Sequence, residues 1–278
     1  MGAVPVIRRF EAPGASLSVM EQGNGPCICF SHGLLFRKEM YEAQIAALSG
    51  DYRCVAWDHR GQGDSGDVPG RVATIEACTD DAIALIESLD EPAVHFVGLS
   101  MGGFVGMRIA ARRPELLASL TLLSTAADPE PKQNHGKYRR LNLAARLFGI
   151  TGWLANQVEP ILYGRTFLED PDRADVRERW RARLRANGRR VYKPVNGVIE
   201  RADCWDEARS IAMPVQQIHG LEDVAIHIDR AERTAQAIAG CTFHALAGAG
   251  HSCTIEAPEL VTSLIRTFVD LHSGKEHP

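Results

Sequence analysis

The sequence predicts an α/β protein with a mostly parallel β-sheet covered by helices on both faces. Short apolar or β-branched runs, each the length of a strand, recur along the chain. Longer stretches with helical patterns separate these runs, and this alternation is typical of βαβ units. The alternation stops near residue 127 and resumes near residue 211. We therefore expect one α/β core, formed by residues 1–127 and 211–278, and a helical insertion over residues 128–210.

Each element follows from a local pattern. Eight runs rich in β-branched and apolar residues are predicted strands: Val4–Phe10, Leu17–Glu21, Cys27–Ser31, Arg53–Trp57, Ala93–Gly98, Leu117–Leu123, Val215–His219 and Thr242–Leu246. The first two are expected to form an antiparallel start to the sheet. Four stretches are predicted helices: Ile75–Leu89, Met101–Arg113, Ala231–Ala239 and Pro258–Leu271. The second of these is expected to end before Pro114, whose ring cannot continue a helix.

The composition is that of an ordinary globular protein. Of 278 residues, 45% are hydrophobic and 24% are charged, which excludes a disordered chain, a collagen and a disulfide scaffold. A chain of this length buries enough surface to form a core without staples. No apolar run approaches the ~20 residues needed to span a bilayer, so no membrane partner is expected.

Charge is distributed unevenly along the chain. The net charge is −4, which gives no general reason to expect nucleic acid as a partner. Residues 131–210 hold 17 Lys or Arg against 10 acidic residues, so this segment is cationic and the rest of the chain is anionic. We expect most of these cations to lie on solvated faces of helices.

The cysteines indicate a reducing compartment. There are seven, an odd number, without a CxxC pair or a Cys/His cluster of metal-ligand spacing. Most lie in apolar stretches and are expected to be small buried hydrophobes. The first ten residues are not followed by the apolar region of a secretory signal. A cytoplasmic location is therefore predicted, without a zinc site or a disulfide framework.

Gly98-Leu99-Ser100-Met101-Gly102 carries the clearest chemical signal. These residues match GxSxG, follow a predicted strand and open a predicted helix, which is the context of a nucleophile elbow. The two glycines leave room for the strand and the helix to approach each other. The tight turn lifts the serine hydroxyl above the sheet, next to a helix N-terminus that favours developing negative charge. Ser100 is the predicted nucleophile.

A serine nucleophile needs a base, and His251 is the predicted one. It lies in the loop Gly248–Ser252, between the last strand and the last helix, where glycines let the loop place an imidazole over the strand ends. His219, His227 and His244 remain as alternatives. Two of these, His219 and His244, fall inside predicted strands, which favours a structural role.

Asp223 is the predicted acid that orients the base. It follows the strand Val215–His219 and should reach the same edge of the sheet. A carboxylate there can accept the imidazole Nδ1–H and stabilise the imidazolium. Glu222, Asp229 and Asp128 remain as alternatives.

The predicted oxyanion hole consists of the backbone N–H groups of Leu34 and Met101. Leu34 lies in the segment Ser31–Leu35, directly after a predicted strand, where a loop N–H can reach the nucleophile. Met101 supplies the N–H that follows the serine. His32, in the same loop, is expected to hold the loop in place and not to act as a base.

Two neighbouring patterns are expected to be structural. Gly61–Gly66 matches GxGxxG, but Val68-Pro69-Gly70 occupies the place where a phosphate-binding helix would run. A dinucleotide site is therefore not predicted. The group Asp58-His59-Arg60 is interpreted as a hydrogen-bonded turn and not as a second site.

Five motifs in this order resemble the α/β-hydrolase superfamily: SHGLL (31–35), WDHRGQGDSG (57–66), GLSMGG (98–103), HGLED (219–223) and GAGHS (248–252). Within it, the chain most resembles 3-oxoadipate enol-lactonases and haloperoxidase-like serine esterases. The resemblance implies the α/β-hydrolase fold, with an eight-stranded sheet and an inserted helical cap. It also implies Ser100 as nucleophile, Asp223 as acid and His251 as base. Haloalkane dehalogenases and epoxide hydrolases use a carboxylate nucleophile, so a serine at this position argues against both.

The implied activity is hydrolysis of a small carboxylic ester or lactone through an acyl-enzyme intermediate. The substrate is a small molecule, and neither a metal nor an organic cofactor is expected. Two other functions stay open: hydrolysis of a carbon–carbon bond in a diketone by the same residues, and a signalling protein that retains the triad and binds a ligand.

Apolar side chains of the insertion and of two core loops are expected to line the substrate pocket. The first candidates are Leu35, Phe148, Trp153, Leu154 and Val224. Further candidates in the insertion are Tyr138, Leu147, Ile161, Leu162 and Phe167. An Arg such as Arg139 or Arg146 is considered for a substrate carboxylate.

Overall fold

The computed structural model describes residues 4–273. Its sheet contains eight strands, each of which overlaps a predicted run. The strands are β1 (Val6–Ala12), β2 (Ala15–Gln22), β3 (Cys27–Ser31), β4 (Arg53–Trp57), β5 (Val94–Leu99), β6 (Leu117–Leu123), β7 (Val215–Gly220) and β8 (Thr242–Leu246). The limits of β3, β4, β6 and β8 are those predicted, and the other four strands differ by one or two residues at an end.

The strands follow the order β1-β2-β4-β3-β5-β6-β7-β8 across the sheet. β2 pairs antiparallel with β1 and β4, and the other pairs are parallel, which confirms the predicted antiparallel start. Parallel strands end at one edge of a sheet, so the loops after Ser31, Leu99, Leu123 and Gly220 open at the same edge. That edge brings the predicted motifs together.

Helices cover the sheet and fill the insertion. They are α1 (Glu42–Leu48), α2 (Ile75–Glu87), α3 (Met101–Arg112), α4 (Lys132–Phe148), α5 (Gly152–Leu162), α6 (Arg165–Glu169), α7 (Ala174–Arg185), α8 (Tyr192–Ile199), α9 (Trp205–Ser210), α10 (Ile228–Ala237), α11 (Cys253–Glu256) and α12 (Pro258–His272). The four predicted core helices correspond to α2, α3, α10 and α12. Sequence analysis missed α1 and α11 because segments of seven and four residues are too short to show helical periodicity.

Hydrophobic side chains pack on both faces of the sheet. Along β5, Phe96 joins the cluster formed with α2 and α3, whereas the next residue, Val97, joins the cluster formed with α1 and α12. Both side chains are fully buried, because successive strand residues point to opposite faces. Burial of a side chain of this size contributes roughly 1.5–3 kcal/mol. The two clusters confirm the predicted layers and hold the end of β5 rigidly.

The Gly61–Gly66 segment is a tight turn closed on Asp58. The Asp58 carboxylate accepts from the backbone N–H groups of Lys38 and Asp64 at 2.7 and 2.8 Å, and it pairs with the Lys38 Nζ at 2.9 Å. Gly63 has a φ of +50°, and a Cβ there would collide with this carboxylate. The segment is therefore a tight turn held by a carboxylate, in agreement with the predicted structural role.

The helices α4 to α9 lie between β6 and β7, in the stretch predicted as an insertion. α4 packs against α8, and α5 packs against α7, whereas α9 packs against α3 and α10. α4 carries five basic residues and no acidic one. Three of its Arg side chains, Arg139, Arg140 and Arg146, are exposed, as expected for solvated helix faces. No helix within residues 4–273 is long and apolar enough to cross a membrane.

The cysteines are free thiols, and six of the seven are buried. This confirms their predicted role as small buried hydrophobes, with Cys241 as the partly exposed exception. Within residues 4–273, no three His, Cys, Asp or Glu side chains stand close enough to hold a metal ion. The cytoplasmic location stays a prediction.

Candidate active site

Ser100 lies on a strained turn between β5 and α3. Its φ of 52° falls in a region that side chains rarely adopt. The Ser100 N–H donates to the Leu123 carbonyl at 2.8 Å, and the Ser100 carbonyl accepts from Thr125 Oγ1 at 2.9 Å. The strand, turn and helix that the GxSxG motif predicts are all present, and they hold the serine at the carboxyl edge of the sheet.

Two glycines permit the close approach that this turn requires. A Cβ at Gly98 would collide with the Gly102 carbonyl, and a Cβ at Gly102 would collide with the Ser31 carbonyl at the end of β3. α3 therefore begins in direct contact with the sheet. The N–H of Met101, its first residue, has no partner inside the helix.

His251 and Asp223 form the hydrogen bond that the sequence predicts. His251 Nδ1 lies 2.8 Å from Asp223 Oδ2, and both side chains are buried. Asp223 Oδ1 accepts from the N–H groups of Ala225 and Ile226 at 2.8 and 2.9 Å, which fixes the carboxyl group. Because a carboxylate oxygen accepts this bond, Nδ1 carries the hydrogen and Nε2 is left as the basic nitrogen.

The pKa of His251 lies above that of an ordinary histidine. Burial lowers the pKa of His251, but the charge of Asp223 and the hydrogen bond to it raise this pKa by more. Glu256 and Glu130 act in the same direction as Asp223. Burial lowers the pKa of the neighbouring His219 below its ordinary value. Of these two histidines, His251 is therefore the one that gains a proton first as the pH falls.

If His251 is the base, the acid limb of kcat/KM for an ester is expected above pH 6.5, because an imidazolium cannot take a proton from Ser100. Activity rises as the pH rises through the pKa of His251. Glu256, whose pKa burial raises to about 7, ionises in the same range and favours the imidazolium as it does so. A pH profile of kcat/KM measures the limb, with circular dichroism at each pH as the control for acid unfolding. An acid limb at or below the pKa of a free histidine would contradict this assignment.

The alternative bases have other positions or partners. His219 Nε2 donates to the Ile226 carbonyl at 2.8 Å and stands 3.4 Å from Asp223 Oδ2. His227 is exposed before α10, and His244 lies within β8. Asp223 therefore lies between two imidazoles, and the shorter contact is with His251.

The alternative acids are each engaged elsewhere. Glu222 accepts from the N–H of Thr166 at 2.7 Å. Asp229 and Asp128 both pair with Arg233, at 2.6 and 3.2 Å. Within the described residues, none of the three forms a hydrogen bond with His251.

The Ser31–Leu35 loop lies against Ser100. A Cβ at Gly33 would approach the Ser100 Cβ to 3.5 Å, and Leu34 lines the same cavity as Ser100. Within residues 4–273, the Leu34 N–H donates to no other backbone or side-chain group. Among the described residues, Leu34 and Met101, the two predicted donors, thus both have a backbone N–H without a hydrogen-bond partner close to Ser100.

His32 holds this loop, as expected. Its Nδ1 lies 2.7 Å from the Gly33 carbonyl, and its Nε2 accepts from the His59 N–H at 2.9 Å. With one nitrogen donating and the other accepting, the imidazole is neutral, and burial lowers its pKa in agreement. His32 therefore has no nitrogen left to act as a base.

Ser100 and His251 open into one cavity of about 140 Å³. Most of its lining is apolar, and half of the lining residues come from α4, α5 and α8. Five side chains suggested from the sequence lie there: Leu35, Tyr138, Leu154, Ile161 and Leu162. Glu130 and Arg201 are charged exceptions that the sequence did not indicate. An apolar cavity of this size holds a short-chain or ring-sized molecule.

Phe148, Trp153 and Val224 do not line this cavity, which corrects their assignment to the pocket. Their exposed fractions are 70%, 62% and 53%. On α5, Leu154 and Val158 are four residues apart and share the face toward the cavity. Trp153 precedes them on another side of the helix. Sequence spacing identifies an apolar face but not the direction in which a helix turns it.

The other suggested residues also lie outside the cavity. Leu147 is exposed, whereas Phe167 is buried against Tyr163. Arg139 points to solvent, and Arg146 stacks over the Tyr192 ring at 4.9 Å. Neither Arg therefore reaches a substrate beside Ser100.

Glu256, which sequence analysis missed, holds the His251 loop. Its Oε2 accepts from the N–H groups of Gly250 and Gly164 at 2.9 and 2.8 Å, and its Oε1 accepts from the Ser252 N–H at 2.9 Å. Two of these donors flank His251, and the third directly precedes α6. No motif signals this role, because the partners of the carboxylate are backbone groups.

Known proteins share this fold over nearly the whole chain. The model of the Alpha/beta hydrolase family matches residues 30–264. The 3-oxoadipate enol-lactonase 1 of Acinetobacter baylyi is 27% identical and aligns over 92% of this chain and 94% of its own. A solved thermophilic esterase from Thermogutta terrifontis has a TM-score of 0.86 at 29% identity, covering 97% of this chain and 100% of that one. The enol-lactonase from Burkholderia xenovorans LB400 has a TM-score of 0.85 at 29% identity, covering 94% and 99%. These similarities confirm the predicted fold class.

Proposed function

The chain belongs to the alpha/beta hydrolase family, and from that premise we propose that it is a serine hydrolase acting on a small carboxylic ester or lactone. The observation that carries the proposal is the 2.8 Å hydrogen bond between His251 and Asp223, next to Ser100 in one cavity. A nucleophile, a base and an orienting acid are the groups that acyl transfer from an ester requires.

The reaction proceeds in two acyl-transfer steps. Ser100 Oγ attacks the carbonyl carbon while His251 Nε2 takes the hydroxyl proton, and His251 then gives that proton to the leaving alcohol. Water then attacks the acyl-enzyme while His251 takes its proton, and His251 returns that proton to Ser100 Oγ as the acid leaves. Asp223 keeps Nδ1 protonated and stabilises the imidazolium throughout. The N–H groups of Leu34 and Met101 stabilise the oxyanion, at roughly 3–4 kcal/mol for each donor.

The lining and volume of the cavity favour a substrate with a small and largely apolar acyl group. Its lining is mostly apolar, and its volume of about 140 Å³ leaves room for a short chain. The enol-lactonase relatives support a lactone, and the esterase supports an open ester. We propose that residues 128–210 act as a cap that selects the substrate, since α4, α5 and α8 supply much of this lining.

A fluorophosphonate probe tests the nucleophile directly. The wild-type protein is expected to take up one probe per chain, and peptide mass spectrometry should locate it on Ser100. Modification of another residue, or of none, would overturn the proposal. A panel of lactones, aryl esters and diketones then separates ester hydrolysis from carbon–carbon bond hydrolysis, and tight binding without turnover would favour a ligand-binding protein.

A further inference from the structure

A buried ion pair lies in the wall of this mostly apolar cavity. Arg201 Nη1 lies 3.1 Å from Glu130 Oε2 and donates to the Val198 carbonyl at 2.7 Å. The exposed fractions of the Arg201 and Glu130 side chains are only 2% and 7%. Both residues line the cavity that contains Ser100.

Arg201 uses only part of its hydrogen-bonding capacity. A guanidinium has five N–H donors in a rigid fork, and the contacts to Glu130 and Val198 both involve Nη1. Among the described residues, neither Nε nor Nη2 of Arg201 has a hydrogen-bond partner, and Nε is enclosed by protein atoms. The Phe104 ring lies 4.2 Å from the guanidinium carbon and covers one face of the group.

An unpartnered donor on a buried cation is costly, so an acceptor for Nη2 is favourable. Among the described residues, no side chain of the cavity lining, the polar Tyr138 and Asn142 included, accepts from it. A molecule bound beside Ser100 occupies the cavity that Arg201 also lines, and an oxygen atom of that molecule can accept the unused hydrogen bond.

The charges around Arg201 favour an uncharged acceptor. Glu130 already balances Arg201, and the nearby Arg230 is paired with Asp128 at 3.2 Å. A substrate carboxylate would add a net negative charge to an apolar cavity, whereas a carbonyl oxygen adds none.

We propose that Arg201 determines specificity by donating from Nη2 to an uncharged carbonyl oxygen on the acyl chain of the substrate, beyond the ester that Ser100 attacks. This assignment rests on the proposed function. The preferred substrates are therefore oxo-acyl esters or lactones, and Glu130 positions the guanidinium that recognises them.

A matched set of para-nitrophenyl esters tests the assignment. The set consists of hexanoate, its oxo derivatives with the ketone at successive chain positions, and a chain of similar length that ends in a carboxylate. For wild type, at least one oxo ester is expected to exceed hexanoate in kcat/KM by about tenfold or more, chiefly through KM, because hydrogen bonds to charged groups are the strong ones. Equal values for hexanoate and all oxo esters would overturn the proposal, as would a carboxylate ester that surpasses every oxo ester.

Two variants separate recognition from a structural role. Arg201→Lys keeps a cation opposite Glu130 but lacks the fork, and the ratio of kcat/KM for the best oxo ester to that for hexanoate is expected to fall to about one. The double variant Glu130→Gln/Arg201→Met removes both charges together, in case the single variant misfolds, and the same fall is expected. Arg139→Lys, on the exposed face of α4, should keep the wild-type ratio. A uniform loss on both esters that leaves the ratio unchanged would show a purely structural pair and overturn the proposal.

Binding to the Ser100→Ala protein distinguishes this proposal from the proposed function. Calorimetry with methyl esters of the same acids should give a Kd about tenfold lower for the oxo ester than for the hexanoate, and Arg201→Lys should remove the difference. Equal Kd values would overturn the recognition proposal. Tighter binding of the oxo ester, together with no turnover by wild type, would support recognition by Arg201 and overturn only the hydrolase mechanism.

Discussion

Ser100→Ala is expected to lower kcat for an ester substrate by on the order of 10³- to 10⁶-fold, the range that loss of a serine nucleophile produces. The variant removes the oxygen atom that we propose attacks the carbonyl. The two hydrogen bonds that hold the turn, to Leu123 and from Thr125, involve only the Ser100 backbone and stay in place. KM and the melting temperature should therefore change little.

Steady-state kinetics and fluorophosphonate labelling measure this effect together. Ser88→Ala is the matched control, since the Ser88 hydroxyl bonds to the Leu85 carbonyl at the end of α2, and the control should retain wild-type kcat. Retention of more than about a tenth of wild-type kcat by Ser100→Ala would show that another residue attacks the substrate.

Gly102→Ala is expected to destabilise the fold by at least about 3 kcal/mol, among the largest effects of a single substitution. The new Cβ would collide with the Ser31 carbonyl, and both groups belong to rigid backbone, at the start of α3 and the end of β3. Relief of the collision would require α3 to move away from the sheet and to carry Ser100 with it. Activity and stability should be lost together.

Urea unfolding measures the change in the free energy of unfolding. Gly136→Ala is the control, because a Cβ at Gly136, inside α4, meets no atom within 4 Å. That control should raise stability by up to about 1 kcal/mol through helix propensity. A Gly102→Ala protein that unfolds within about 0.5 kcal/mol of wild type would contradict the close approach.

The positions of residues that belong to a local sequence pattern were predictable. The strands emerged from short apolar runs, because burial on both faces selects such residues in parallel sheets. The partners of Ser100 were also predictable in position, since Asp223 and His251 follow strands whose carboxyl ends must meet at one edge. The structure brings both to the cavity edge at hydrogen-bonding distance.

Residues that act through the packing of distant segments were not predictable. Glu130 and Arg201 stand at opposite ends of the insertion, and only the folded helices bring them into contact. Glu256 accepts hydrogen bonds from backbone N–H groups. Because nearly every residue carries such a group, the sequence does not identify its partners. Trp153 and Phe148 were assigned to the pocket because they are apolar residues of the insertion, yet the rotation of α4 and α5 turns them to solvent.

The position of the insertion also determines when, during synthesis and folding, the candidate site residues can come together. β6 and β7 are neighbours in the sheet, although residues 124–214 separate them along the chain. Pairing of β6 with β7 closes this long segment into a loop, which costs conformational entropy. The strands that precede the loops of Asp223 and His251 can join the sheet only when this loop closes. A ribosome-bound chain therefore contains the Ser100 turn well before Asp223 and His251 have been synthesised. By the proposed mechanism, the nascent protein gains ester hydrolysis only after its last strand is in place.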